Sequence, residues 1–123
     1  MCPPRIYGYQ ISPSASSLIG PITLLDAQAS PVNLISYSTT NINFVQLQYG
    51  LVRNGVYLSG LITVATDGGS NTTISDSSTT TSLAGFGVQF SAVVIAGNLW
   101  IQYTTTSTGF ATAMTYYQEA WSN

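Results

Sequence analysis

The sequence predicts an all-β protein, an antiparallel β-sandwich of jelly-roll-like kind preceded by an extended N-terminal arm. Three observations lead there. Two stretches alternate apolar and polar residues on either side of a Gly-containing turn, and each folds back in a register that sets apolar against apolar. Thr and aromatic residues, which suit strands, are plentiful. Short strand-like runs recur between turn signals with no sustained helical period, and seven or eight such runs fit a sandwich or jelly roll.

Residues 1–21 form the expected arm, and residues 22–123 the sandwich domain. The arm carries four of the five prolines, Pro3, Pro4, Pro13 and Pro21, and the stretch SPSASS. Proline cannot donate to a ladder or sit inside a helix, so an extended segment is expected. Within it Ile6, Tyr7, Tyr9 and Ile11 are more apolar than solvation alone requires, and they are expected to dock on a neighbouring protein. Ile22–Leu25 and Asn33–Ser38 read as the first strands. The one helix candidate, Thr23–Ser30, is too short and is stopped by Pro31.

The strongest local signal is FVQLQYGLVRNGVYLSGLITVATD at residues 44–67. Asn54-Gly55 as a two-residue loop, whose residues both need positive φ, places Arg53 opposite Val56. Leu51 then faces Leu58, Tyr49 faces Gly60, Leu47 faces Ile62, and Val45 faces Val64. The reverse face, Val52–Tyr57, Gly50–Ser59, Gln48–Leu61 and Gln46–Thr63, is more polar. Residues 68–85 read as a polar loop or as edge strands around Thr72–Ser75 and Thr80–Leu83. The second hairpin, VQFSAVVIAGNLWIQYTT at 88–105, is expected to turn at Gly97-Asn98 in a type II′ loop. That register pairs Ala96 with Leu99, Val94 with Ile101, Ala92 with Tyr103, and Phe90 with Thr105. It also sets Ile95 beside Trp100 on the opposite face, where both need cover from another segment or subunit. Thr106–Gly109 is a turn, and Phe110–Trp121 the last strand.

Composition bounds the chemistry. Of 123 residues 45% are hydrophobic and only 5% charged, the net charge is −2, and His and Lys are both absent. Ser and Thr, roughly a quarter of the chain, supply the polar surface that charge normally supplies. Such a surface has little repulsion to keep copies apart, so self-association is expected. Two arginines do not make the clustered cations that phosphate backbones require, so nucleic acid is not an expected partner. No run is long and apolar enough for a membrane helix, and the N-terminus lacks the pattern of a secretory signal, so no membrane partner is expected. Cys2, the sole cysteine, cannot form an intrachain disulfide, which fits a reducing cytoplasm or a compartment that leaves no mark on the sequence.

These residues do not suggest an enzyme, and no cofactor or metal is expected. Ser–His, Cys–His and Lys-based nucleophiles are not available. The acids are Asp26, Asp67, Asp76 and Glu119. Asp67, followed by Gly68-Gly69, reads as a turn former bonded to its own backbone. A weak calcium site from Asp67 and Asp76 lacks any EF-hand spacing. Trp100 and Trp121, near strand ends, suit the core or a subunit interface better than a sugar platform.

Two segments carry a family resemblance: GLITVATDGG, and GVQFSAVVIAGNLWIQYTTTSTGFATAMTY. A strand ending in A-T-D-G, then G-V-x-F-S-A, a Gly-Asn turn, a Q-Y-T strand, and a final strand with A-x-M-x-Y resemble the C-terminal β-domain of small virion proteins of tailed bacteriophages. The matching positions are Gly60 to Gly68, Gly87 to Ala92, Leu99 to Thr105, and Ala113 to Tyr116, roughly half the chain. Where those proteins often carry a basic residue after the final Tyr, this chain continues Tyr117-Gln118-Glu119. The resemblance implies a structural β-sandwich of the virion, assembled in the host cytoplasm and commonly trimeric. Its partners would be itself and the major capsid protein or other virion proteins, in a capsid decoration (cement) role. The alternative is a tail-fibre or spike module that recognises host surface glycans.

Overall fold

The Asn54-Gly55 hairpin forms as its sequence predicts. Asn54 and Gly55 both take positive φ, 51° and 74°, as a type I′ turn demands. Strand β3 (Phe44–Arg53) pairs with β4 (Val56–Thr66) from Arg53↔Val56 to Phe44↔Ala65 in the expected register. A computed structural model describes residues 18–69, 71–78 and 86–122. Ile6, Tyr7, Tyr9 and Ile11 therefore lie outside the described residues, as does the expected strand Thr80–Leu83.

Around this hairpin the remaining strands are β1 (Ile19–Leu24), β2 (Val32–Ser38), β5 (Thr72–Ser78), β6 (Val88–Ile95), β7 (Asn98–Thr105) and β8 (Thr112–Trp121). They form two antiparallel sheets, one of five strands in the order β1-β8-β3-β4-β5 and one of three in the order β2-β7-β6. The nesting of β1 on β8 and of β2 on β7 is the jelly-roll-like feature, whereas β3–β4 and β6–β7 pair as local hairpins. β1 begins at Ile19, so Gly20 and Pro21 lie in the sandwich rather than in the arm. Pro21 is tolerated there because β1 is an edge strand with a bulge between Ile19 and Ile22.

The core lies between the sheets. Val45, Leu47, Tyr49 and Leu51 alternate inward from β3, and Leu58, Ile62 and Val64 from β4. Met114 and Tyr116 join them from β8, facing Leu99, Ile101 and Tyr103 on β7 and Tyr37 on β2. The period of two in the sequence becomes a buried face because successive side chains point to opposite sides of a strand.

The second hairpin differs from expectation. Its turn is Ala96-Gly97, with φ 51° and 80°, rather than Gly97-Asn98. Val94 therefore faces Leu99, Ala92 faces Ile101, Phe90 faces Tyr103, and Val88 faces Thr105. Ile95 is paired with Asn98, and Trp100 with Val93. A slip of two residues preserves which side chains point inward, so the faces are as expected although the partners are not.

Candidate functional site

The outer face of the five-stranded sheet is ordered in rows across β8, β3 and β4. One row is Ala113, Val52 and Tyr57, the next Thr115, Gly50 and Ser59, and the next Tyr117, Gln48 and Leu61. The middle row has a glycine between two small hydroxyl residues, while larger apolar residues stand on either side. The result is an open groove of about 470 Å³, whose wall beside β1 includes Pro21. Tyr57 stands 76% exposed at one rim, and Val52, Leu61 and Tyr117 are all partly exposed. Further along the same face Phe44 and Trp121 stack, with ring centroids 5.7 Å apart and planes 18° from parallel. Among the described residues the only charged side chain in these rows is Glu119, opposite Gln46. The groove offers apolar contact with hydroxyls and an amide beside it.

Elsewhere the charged groups are engaged in holding loops. Arg53, at the end of β3, points inward and is buried. Its Nη2 donates to Asp26 Oδ1 at 2.7 Å and to the Thr106 carbonyl, its Nη1 to the Gly87 carbonyl, and its Nε to the Phe110 carbonyl. Asp26 in turn accepts from the amides of Thr108 and Gly109. The Thr108 amide contributes most to holding the Asp26 carboxyl below its ordinary range; the Gly109 amide and Arg53 also lower it, against desolvation. One guanidinium thus ties the loop after β1, the segment before β6, and the β7–β8 connection to one end of the sandwich. Arg53 had a signal in the sequence, since its place in the alternation of β3 aims it inward.

Asp67 is the turn former that its Gly-Gly neighbourhood suggests. It accepts from the Gly69 and Asn71 amides and from Asn71 Nδ2, and the Gly69 bond leads in lowering its carboxyl. Asp76 instead accepts from the Tyr49 hydroxyl at 2.7 Å. Desolvation raises the Asp76 carboxyl while that bond lowers it. Burial raises Tyr49, and its bond to Asp76 and the charge there act in the same direction. Asp67 and Asp76, the pair a weak ion site would need, are thus bonded to separate partners. Among the described residues no three acidic, Cys or His side chains converge.

No known protein family, curated protein or solved structure matches this chain.

The predicted interface residues that are described, Ile95, Trp100 and Trp121, fall on both sides of the sandwich. Trp121 lies on the outer face of the five-stranded sheet. Trp100 and Ile95 lie on the outer face of the three-stranded sheet, Trp100 half-buried between Ser36 and Val93, and Ile95 exposed. The structure therefore separates Trp121 from Trp100 and Ile95. The groove residues Val52, Tyr57 and Thr115 went unsingled in the sequence, although the hairpin register already placed Val52 beside Tyr57 on the less apolar face.

Proposed function

We propose that this protein is a non-enzymatic assembly protein that works by associating through the outer face of its five-stranded sheet. The observation that carries this reading is the combination on one face of exposed Val52, Tyr57, Leu61, Tyr117 and Trp121 with almost no charge. Apolar area removed from water favours association by about 25 cal/mol per Å² as an upper bound, and there is little like-charge repulsion to oppose it. In the fuller form that the phage resemblance suggests, the protein is a capsid decoration protein that sits on the shell as a homotrimer, its N-terminal residues reaching a neighbour. Repeated contacts on one shell then act together through effective concentration.

Light scattering on the full chain tests the core of this reading. A defined oligomer, three copies in the fuller form, is the expected result, and a monomer at micromolar concentration overturns it. Removing residues 1–17 leaves β1 whole, so the truncated chain should keep its fold while binding shells more weakly.

The groove favours one second reading, a receptor-recognition module. Tyr57 and Tyr117 flank a small hydroxyl-lined floor, an arrangement on which a sugar ring can stack. Glycan-array binding that is lost in Tyr57→Ala, from a protein present in a few copies per particle, would favour it over cement.

A further inference from the structure

Gly50 sits inside β3, the middle strand of the five-stranded sheet, where a glycine weakens the strand and leaves no side chain to pack. The fold itself does not call for it. Its strand pairs on both sides without a shift in register, so it marks no bulge. Its φ lies outside the left-handed region, so any residue could adopt its backbone. Among the described residues, a Cβ added to it would touch only the Thr115 hydroxyl, at 3.6 Å, an ordinary contact. Gly60, inside the neighbouring β4, is different: the Ser77 carbonyl and the Tyr49 ring leave no room for a side chain there. A strand glycine that neither strain nor crowding demands marks a place where something from outside comes close to the backbone. The space it opens is the groove of the outer face, with Thr115 and Ser59 on either side of the floor.

The same face supplies an occupant. Tyr57, 76% exposed, stands one row from Gly50 on the adjoining strand. A ring that projects and a floor that recedes are thus diagonal neighbours. Two copies meeting face to face can exchange them about an axis through the corner between Gly50, Val52, Tyr57 and Ser59. A two-fold axis makes the exchange mutual, and the three-fold axis of the fuller form hands each ring to the next copy. Charge and area both fit a second copy. Among the described residues the one charge in these rows, Glu119, lies three rows from Tyr57, so neither copy carries a charge into the contact. With strands about 4.8 Å apart and rising about 3.3 Å per residue, the five strands present roughly 700 Å² on this face, close to the area of about 800 Å² that each partner gives to a standard interface. We infer that Tyr57 of one copy seats over Gly50 of a second copy, its ring against the bare backbone and its hydroxyl beside Thr115. This contact rests on the associating face proposed for the protein, and it names the side chain that enters and the space that receives it.

Gly50→Val fills the groove from its floor with a side chain that suits a strand. In sedimentation of the full chain, this variant should associate about tenfold or more weakly than the unaltered protein. In dilute solution, where both are monomers, its melting temperature should stay the same or rise. Mixing Gly50→Val chains, which keep the ring, with Tyr57→Ala chains, which keep the groove, should restore association that neither shows alone. A Gly50→Val variant that associates as well as the unaltered chain, or a mixture that does not recover, overturns the inference while leaving the associating face in place. A monomeric unaltered chain overturns both. A third measurement needs no variant. Nitration of Tyr57, followed by peptide mass mapping, should be about tenfold or more slower in the associated protein than after dilution to monomer, and equal rates overturn the inference.

Discussion

At the residue scale, two side chains show how this molecule uses its few polar anchors. Arg53 is 4% exposed and makes one ion pair and three bonds to carbonyls, so three connections depend on it. Arg53→Met fills similar volume but leaves Asp26 and those carbonyls without their donor. We expect a loss of about 3 kcal/mol or more in denaturant unfolding, the range for breaking a buried pair at one partner. Gly60 illustrates the opposite device, a side chain that must be missing. A Cβ there would lie 2.5 Å from both the Ser77 carbonyl oxygen and the Tyr49 hydroxyl. The ring of Tyr49 occupies the space over Gly60 and reaches Asp76. Gly60→Ala should therefore cost about 1–3 kcal/mol by overpacking. Most of that cost should remain in a Tyr49→Phe background, because the Ser77 carbonyl belongs to the backbone and cannot turn away. Chemical denaturation of the single and double variants checks both points.

At the element scale the two hairpins differ in how openly they declare themselves. Asn54-Gly55 has residues that both tolerate positive φ, so turn chemistry and apolar pairing pointed to one register, which the structure has. In the second hairpin they also agree on one register, but both the expected and the observed register set apolar residues opposite each other, so pairing alone does not choose between them. Gly97-Asn98 satisfied the type II′ rule, but the structure turns at Ala96-Gly97, with Ala96 in the left-handed region at φ 51°. Pairing Val94 with Leu99 and Phe90 with Tyr103 outweighs a penalty of roughly 1–2 kcal/mol for an L-residue there. Rules for local turns cannot register that compensation because it is spread along the strands. Ala96 is exposed, so Ala96→Asn should recover about 0.5–1 kcal/mol, read as a higher melting temperature with an unchanged fold. The sheet order was also illegible, since nothing local to β1 or β8 says that they will be neighbours. Candidate interface positions are only partly visible: Trp121 and Trp100 stand out as aromatics near strand ends, but the groove exists because Gly50 is small where its neighbours are large.

At the scale of the whole molecule, charge scarcity governs behaviour. The proposed associating face predicts that Val52→Ser combined with Tyr57→Ser lowers oligomer mass in sedimentation. Each side chain is exposed, so folding stability should move by no more than about 0.5 kcal/mol. The same scarcity shapes the pH profile. With no His or Lys, stability should be nearly flat between about pH 5 and 9. Asp26 and Asp67 are lowered below 3.8, so their contribution is present above that value and is lost as pH falls through their folded pKa. Asp76, raised in the fold, works the other way. Tyr49 and Tyr37 are raised above 10.0, chiefly by burial, so stability is lost as pH climbs beyond 10.0. Unfolding free energies measured across pH 2–12 should trace a plateau falling at both ends (limits chosen to bracket the ordinary values). A peak or step near neutrality would contradict it.

The position of β8 has a consequence for how the protein is made. It lies between β1 and β3, and of the eight strands it is the last to leave the ribosome. Among the described strands, β1 has no neighbour until β8 arrives, and β3 has only its hairpin mate. The nascent polypeptide can pair β3, β4 and β5 as they are made, but cannot join β1 to them until the end of synthesis. It must hold the gap open, or leave it unformed, until the closing strand slots in, the long-range step that slows folding in β-rich topologies.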